Sequence, residues 1–253
     1  MLTVVTSFDE QGWHEYGHHF VDSFARHWPK SVDLVCYRKG GMTHGRAKMR
    51  DLMGVQPCID FLHSHRDDPM ANGRVRTAVW RNKEGAAGYS FRTDAVKFCH
   101  KVFAVADAAE RIGSGLLCWI DADVVTTSDV PEGFVESLIG DAHVAYLGRH
   151  PIHSECGFLA FKLPEALPLI RRWVNLYRTD KIFTLPEWHD SYAFDRCREE
   201  SPEVNFRSLT PPGMAGVHHV WTVIPALADK LDHLKGARKQ LGYSPEMRQR
   251  AKA

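Results

Sequence analysis

The apolar run GLLCWI, residues 115–120, is the feature that most constrains the fold of this chain. It has the length of a strand and almost no polar residue, a pattern typical of a central parallel strand that is covered on both faces. Asp121 and Asp123 follow the run directly. Open α/β sheets bind ligands at the carboxyl ends of their strands, so the two acids stand where a site is expected.

The segments before this run alternate between strand and helix patterns. LTVVTSF at 2–8 and SVDLVCYRK at 31–39 are strand-like, and the stretch between them has the apolar spacing of one helix face. This order predicts a βαβ unit with a parallel sheet. A further apolar helical stripe begins at Phe91. We therefore predict a single α/β domain in which helices flank a mainly parallel central sheet.

Charge and hydropathy exclude several classes of protein. Lys plus Arg (32) nearly equals Asp plus Glu (31), so the chain has no net field to hold a polyanion and would need a local basic patch. The best candidate is the loop-like stretch from Arg74 to Lys83. The amino terminus lacks a secretory pattern, and no apolar run reaches the roughly 20 residues of a membrane helix. We expect a cytoplasmic protein without a transmembrane segment.

The Asp-Ala-Asp sequence predicts a metal site. In extended backbone, alternate side chains point the same way, so the carboxylates of Asp121 and Asp123 share one side. Like charges at this spacing repel unless a cation lies between them, and Mg²⁺ or Mn²⁺ prefers such oxygen ligands. The alternative is a strand-end turn, in which Asp is common because it tolerates bends. The buried strand before the acids favours the metal site.

Two enzyme classes place such a motif after a buried strand. In phosphohydrolases of the haloacid-dehalogenase type, Asp121 would be the nucleophile and Asp123 an acid/base. That family also needs a later paired-acid motif, and the segment that begins with Gly140 and Asp141 has Ala145 where the second acid belongs. In nucleotide-sugar glycosyltransferases with the GT-A fold, the two acids hold a cation that bridges the donor diphosphate.

The carboxyl-terminal third contains a second motif, His233, Gly236 and Lys239 in an H-x-x-G-x-x-K arrangement. With the D-x-D motif in the correct order, it resembles the glycogenin and lipopolysaccharide galactosyltransferase family of retaining enzymes. The resemblance implies a GT-A-like, Rossmann-like domain in which His233 joins Asp121 and Asp123 as a metal ligand. Gly236 would allow close approach of the diphosphate, and Lys239 would bind it.

Two further segments resemble the same family. SECGF resembles its N-x-G stretch, with Glu155 where an amide is usual, and WHDSYAFD resembles its Q-D-x-x-x-N segment. The resemblance places Asp190 near the anomeric carbon, although Asp190 also suits a helix N-cap. A carboxylate beneath the anomeric carbon predicts retention of configuration, whereas Asp190 or Glu155 acting as a base on the acceptor hydroxyl predicts inversion.

The remaining candidate residues concern the donor. Arg92, Lys97 and Lys101 precede the D-x-D strand, where related enzymes place a basic residue on donor phosphate or sugar, and we favour Arg92 and Lys97 for that role. The alternative is a solvated helix face, because Lys97 and Lys101 lie on a different face from the apolar stripe. Thr6 and Ser7 end the first strand, where the GT-A fold holds the nucleoside. Segments between about residues 90 and 240 also resemble a group of glycosyltransferase-like proteins from bacteria and their phages.

The sequence therefore predicts a metal-dependent glycosyltransferase that moves a sugar from a nucleotide diphosphate sugar, expected to be a UDP-sugar, to an acceptor hydroxyl. Residues 1–125 would form the nucleotide-binding half and 126–253 the acceptor-side half with the metal and diphosphate segment. The acceptor is open between a glycan, a small molecule and a modified nucleic acid, and the oligomeric state is open. A phosphohydrolase and a non-catalytic nucleotide-sugar binder are the alternatives.

Overall fold

The computed structural model describes residues 1–38, 45–74, 88–214 and 219–250. Most of the predicted basic loop, including Arg76, Arg81 and Lys83, lies outside these ranges. Within them a seven-stranded sheet has the order β3-β2-β1-β4-β7-β6-β8. Its strands are β1 (Leu2–Phe8), β2 (Asp33–Arg38), β3 (Ala47–Asp51), β4 (Gly115–Ile120), β6 (Val144–Leu147), β7 (Glu155–Leu163) and β8 (Phe206–Ser208). A separate two-stranded sheet pairs β5 (Val124–Thr126) with β9 (Leu231–His233).

The sheet is mostly parallel, as the strand and helix pattern predicts. β3, β2, β1 and β4 run parallel to one another, and β6 is parallel to β8. β7 lies between β4 and β6 and is antiparallel to both. The predicted α/β fold is therefore confirmed, and its central strand β4 has a parallel neighbour on one side and an antiparallel neighbour on the other.

The helices cover both faces of the sheet. β1 leads into a short helix α1 and a π-helical segment that continues as α2, and a helical turn precedes the long α4. The described helices are α1 (Glu10–Gly12), the π segment (Trp13–Gly17), α2 (His18–His27), α3 (Gln56–His65), α4 (Ala95–Ile112), α5 (Phe134–Ile139), α6 (Leu167–Arg178), α7 (Asp190–Glu199), α8 (Pro225–Ala228), α9 (Arg238–Leu241) and α10 (Pro245–Arg250). None of the helices in the described ranges combines the length and apolar character that a bilayer crossing requires.

Alternation along β4 divides the core into two layers. Leu117 and Trp119 pack into the cluster that α4 and α6 cover, while Leu116, Cys118 and Ile120 face the cluster beneath α2 and α5. A period of two residues puts successive side chains on opposite faces of a sheet, so a strand that is apolar at every position must be covered twice. This coverage explains why GLLCWI is apolar throughout.

Helix α4 is fixed at both ends by its own sequence. The Asp94 side chain accepts a hydrogen bond from the Lys97 amide at 3.0 Å, which caps the amino terminus. Gly113 ends the helix with a φ of 69°, a conformation that glycine adopts without strain. The chain then turns directly into β4, so α4 lies against the strand that carries the two acids.

Candidate active site

Asp121 leaves the sheet at the carboxyl end of β4. Its amide donates to the Gly157 carbonyl of β7 at 2.9 Å, which continues the strand pairing by one residue. The Trp119 indole donates to Asp121 Oδ1 at 2.7 Å and fixes the orientation of the carboxylate. The side chain is 25% exposed, so this carboxylate faces the sheet edge rather than the core.

The pairing of β5 with β9 brings the two sequence motifs together. Val124 stands opposite His233, and the Leu234 amide donates to the Asp123 carbonyl at 2.9 Å. His233 is fully buried, and its Nε2 lies 3.1 Å from Asp123 Oδ1 and 3.9 Å from Asp121 Oδ2. The structure therefore places the three predicted metal ligands side by side.

Glu155 adds a further carboxylate to this cluster. One ligand atom each of Asp121, Glu155 and His233 lies within 4.8 Å of the others. Lys235 Nζ approaches Glu155 Oε2 at 3.1 Å, and Arg149 Nη1 approaches the same oxygen at 3.6 Å. Burial opposes the ionisation of Glu155, but Lys235, His233 and Arg149 lower its pKa to about 2. Glu155 is therefore ionised at neutral pH.

Gly157 lies against the space between these side chains, and its lack of a side chain bears on whether a cation fits there. A Cβ at Gly157 would lie 3.1 Å from His233 Cε1, 3.3 Å from Asp121 Oδ2 and 3.3 Å from Glu155 Oε1. The missing side chain leaves open the space that these three groups share. Carboxylate oxygens with one imidazole suit Mn²⁺ or a similar divalent ion, so the residues present fit the predicted metal.

Lys101 lies at the centre of the candidate site, although the sequence favours Arg92 and Lys97 over it. Its Nζ lies 2.9 Å from Asp121 Oδ1, donates to the Cys156 carbonyl at 2.9 Å and forms a short ion pair with Asp190. Burial by itself lowers the pKa of Lys101. Asp121 and Asp190 raise it by more than burial lowers it, so the pKa of Lys101 lies above its ordinary value. The apolar stripe of α4 predicts an outward Lys101 beside Lys97. In the structure only Lys97 is exposed.

Asp190 is the first residue of α7 and is buried. Its Oδ1 accepts a hydrogen bond from the Ser191 amide at 2.8 Å. Burial raises the pKa of Asp190, but Lys101 and His189 lower it by more, so the pKa lies below its ordinary value. The helix cap is His189, whose side chain accepts from the Tyr192 amide, so the N-cap alternative for Asp190 is wrong. Lys101 thus connects Asp190 with Asp121 through one ammonium group.

The carboxyl-terminal motif borders the same cluster. Lys239 Nζ lies 3.1 Å from Asp123 Oδ2 and 4.2 Å from the ring centre of Tyr16. Burial raises the pKa of Asp123, but His233 and Lys239 reverse that effect and lower it. Gly236 has a φ of 64°, a left-handed conformation that favours glycine at this turn. A cavity of about 230 Å³ opens between Tyr16, Asp123 and Lys239.

The four other predicted donor residues lie in different surroundings. Arg92 is half exposed and pairs with Glu187 at 2.9 Å, and the ammonium of Lys97 lies 5.8 Å from the ring centre of Phe98. Thr6 is fully buried in β1, and its Oγ1 has no hydrogen-bond partner within the described ranges. Ser7 is half buried at the same strand end. Their roles at the site stay predictions.

Comparison with known proteins identifies the fold. No family model matches the sequence, and no curated protein matches it. The mouse xyloside xylosyltransferase 1 structure, apo form, is similar with a TM-score of 0.50 at 10% identity, covering 82% of this chain and 84% of that one. The glycosyltransferase GlyE of Streptococcus pneumoniae TIGR4 is similar at a TM-score of 0.45 and 11% identity, covering 82% of this chain and 44% of that one. The first match, together with the sheet, shows a GT-A-like fold.

Proposed function

We propose that this chain is a metal-dependent glycosyltransferase that takes a sugar from a nucleotide diphosphate sugar, with UDP as the expected nucleotide. The observation that carries the proposal is the convergence of Asp121, Asp123 and His233 at the carboxyl edge of the sheet. It is supported by a fold shared with a xylosyltransferase. The acceptor supplies a hydroxyl group, and its class stays open.

Asp121, Asp123 and His233 would hold Mn²⁺ or Mg²⁺, with Glu155 close enough to join them. When bound, such a cation offsets the charge of the diphosphate and of the leaving nucleotide. Lys239 is placed to exchange its contact with Asp123 for a donor phosphate, because its side chain is 31% exposed and is held by a partially exposed ion pair and the face of the Tyr16 ring. The turn at Gly236 carries Lys239 towards the cavity beside Asp123.

Lys101 and Asp190 would act on the sugar side of the cluster. Lys101 holds Asp121 and Asp190 in a fixed relation and supplies a positive charge between the buried carboxylate of Asp190 and the partly exposed carboxylate of Asp121. Positioning of this kind lowers the barrier because the groups need little reorganisation during the reaction. Asp190 is then a carboxylate fixed beside the metal ligands, where the anomeric carbon of a bound donor is expected.

Glu155 is poorly suited to act as the base of an inverting reaction. An inverting enzyme needs a base on the acceptor hydroxyl, and a base works best when its pKa is near the working pH. Glu155, with a pKa of about 2, is a poor base and better suited to binding a cation. We therefore keep retention, with Asp190 at the anomeric carbon, as part of the proposal.

The phosphohydrolase alternative gains no support from the structure. Its second acid would stand at Ala145, which is a buried residue of β6. Asp121, its nucleophile, is held by both Lys101 and the Trp119 indole. The non-catalytic binder shares the same metal site and is distinguished only by the absence of turnover.

Thermal stabilisation by nucleoside diphosphates tests this proposal. With Mn²⁺ present, a nucleotide at about 100 times its dissociation constant should add about 2.7 kcal/mol to the free energy of unfolding. For a chain of this size, that increase corresponds to a rise in melting temperature of roughly 5–10 °C. The rise should be confined to one nucleotide base, disappear with chelator and disappear in His233→Ala.

His63→Ala is the matched control, because His63 is an exposed residue of α3 away from β9. It should keep the full nucleotide-dependent rise. A melting temperature that no nucleoside diphosphate changes, with or without Mn²⁺, would contradict the proposal.

A further inference from the structure

A second group of metal-binding side chains lies beside the candidate active site. His153 is in the segment before β7, Glu187 precedes α7, and His189 caps α7. One ligand atom from each lies within 4.8 Å of the other two. Glu187 Oε2 is 2.8 Å from His189 Nε2 and 3.6 Å from His153 Nε2. Two segments that are distant in the sequence therefore direct three donors to one point.

We propose that His153, Glu187 and His189 bind a zinc ion. Two imidazoles and one carboxylate form a donor set that zinc uses when its fourth position stays open to water or a ligand. Tetrahedral bonds of about 2.0–2.1 Å place neighbouring donor atoms roughly 3.3 Å apart. The separations of 2.8 and 3.6 Å lie on either side of that value, and the two histidine nitrogens lie within 4.8 Å of each other, so side-chain movements of about 1 Å or less would be needed to complete the site.

The opposite ring nitrogen of each histidine lies near a carboxylate, at a separation slightly longer than a hydrogen bond. Nδ1 of His153 lies 3.9 Å from Asp195 Oδ2, and Nδ1 of His189 lies 3.9 Å from Asp190 Oδ1. A metal-bound histidine usually gives its other N–H to a carboxylate or a carbonyl, which fixes the ring and its tautomer. Zinc on Nε2 would place the proton of His189 on Nδ1, so Asp190 would replace the Tyr192 amide as its partner.

The carboxylate of Glu187 is fixed in the same way. Arg92 Nη1 donates to Glu187 Oε1 at 2.9 Å, which leaves Oε2 directed at the two histidines. The Arg92 side chain is 47% exposed, so water screens its charge from a bound cation. His153 is 34% exposed and His189 is buried, which leaves one open side for the fourth ligand.

Zinc at this position would connect the start of β7 to the start of α7. These segments carry Glu155 and Asp190, which belong to the candidate active site. The ion would therefore brace the loop that positions Asp190. An ion pair between His189 and Glu187 does not by itself explain why His153 approaches the same Glu187 oxygen. Nor does it explain why Asp195 lies near the His153 ring and Asp190 near the His189 ring.

Zinc titration against a coloured competing chelator tests this site without any donor sugar, so its result is independent of the proposed function. Chelator-treated wild type should take up one tightly held zinc ion per chain. His153→Ala and Glu187→Gln should each weaken zinc binding by more than about 10-fold. Loss of a residue that only orients a metal ligand already costs about 10-fold or more, and loss of the ligand itself should cost more. His150→Ala, an exposed neighbour, should bind as wild type does.

His233→Ala separates the two metal sites and should keep the tight zinc ion. Co²⁺ provides a second measurement, since wild type should show the visible absorption of a tetrahedral ion and Glu187→Gln should lose it. Circular dichroism of His153→Ala and Glu187→Gln should match wild type, because His153 and Glu187 are both partly exposed and lie outside the apolar core. Zinc affinity that stays unchanged in His153→Ala and Glu187→Gln, or a wild type that takes up no zinc in competition with the coloured chelator, would overturn the proposal.

Discussion

The Asp121→Asn variant is expected to transfer sugar at least about 10²-fold more slowly than wild type, measured as kcat with the nucleotide sugar that stabilises the protein. The amide keeps the size of the side chain and an acceptor for the Trp119 indole. It removes the charge that would hold the cation next to the leaving diphosphate. Loss of electrostatic stabilisation in a site of this kind costs about 10²–10³-fold for a single donor, and a lost metal ligand costs at least as much.

The same variant should remain folded. Burial and the neighbouring Asp123 raise the pKa of Asp121 against the opposing effect of Lys101 and His233, so we expect the metal-free fold not to depend on the charge of this carboxylate. Replacing it with a neutral amide should change the free energy of unfolding by no more than about 1 kcal/mol. Asp141→Asn, at an exposed position, is the control and should have wild-type kcat. Full turnover in Asp121→Asn would contradict the assigned role.

Lys101→Met should produce the largest loss of stability of any single change at the site, about 3–5 kcal/mol in urea unfolding. The variant leaves the buried Asp190 and the partly exposed Asp121 without the cation that both contact, and an unpaired buried charge such as that of Asp190 carries a cost of this size. Lys97→Met, one turn earlier on α4 and exposed, should change stability by less than about 0.5 kcal/mol.

A double variant separates the loss of charge pairing from the loss of packing. Adding Asp190→Asn to Lys101→Met removes the partner carboxylate, so the double variant should be more stable than Lys101→Met alone. If the two substitutions lower stability additively, Lys101 contributes through packing and the ion pair is not what holds the cluster.

The sequence predicts this site well where the pattern is local. GLLCWI is apolar at every position because helices cover both faces of β4, and the acids after it follow from the direction of the strand. The pattern does not contain the antiparallel direction of β7, because a buried strand is apolar whichever way it runs. The sequence pattern also does not predict β3 and α3, because the apolar spacing in these two elements is weaker.

Lys101 shows where periodicity fails. Its spacing from Lys97 places both on one polar helix face, but the groups that bury Lys101 come from β7 and α7, far along the chain. The run of apolar residues directly after Lys101, 102–106, is the one local sign that this part of α4 is enclosed. Contacts between distant segments decide such a position, and no single-helix pattern contains them.

The central claim is that Asp121, Asp123 and His233 hold a divalent cation together with a nucleoside diphosphate. Electron paramagnetic resonance of free Mn²⁺ tests it directly, with UDP alone as the reference for the Mn²⁺ that the nucleotide binds by itself. Binding that shares one site is reciprocal, so UDP should raise the affinity of the protein for Mn²⁺ as much as Mn²⁺ raises its affinity for UDP.

The account predicts one Mn²⁺ per chain whose binding tightens with UDP in wild type and in His153→Ala, and is lost in Asp123→Asn. Asp123 is the informative position because it contacts both His233 and Lys239. Mn²⁺ binding that UDP does not change, or that Asp123→Asn retains in full, would contradict the account.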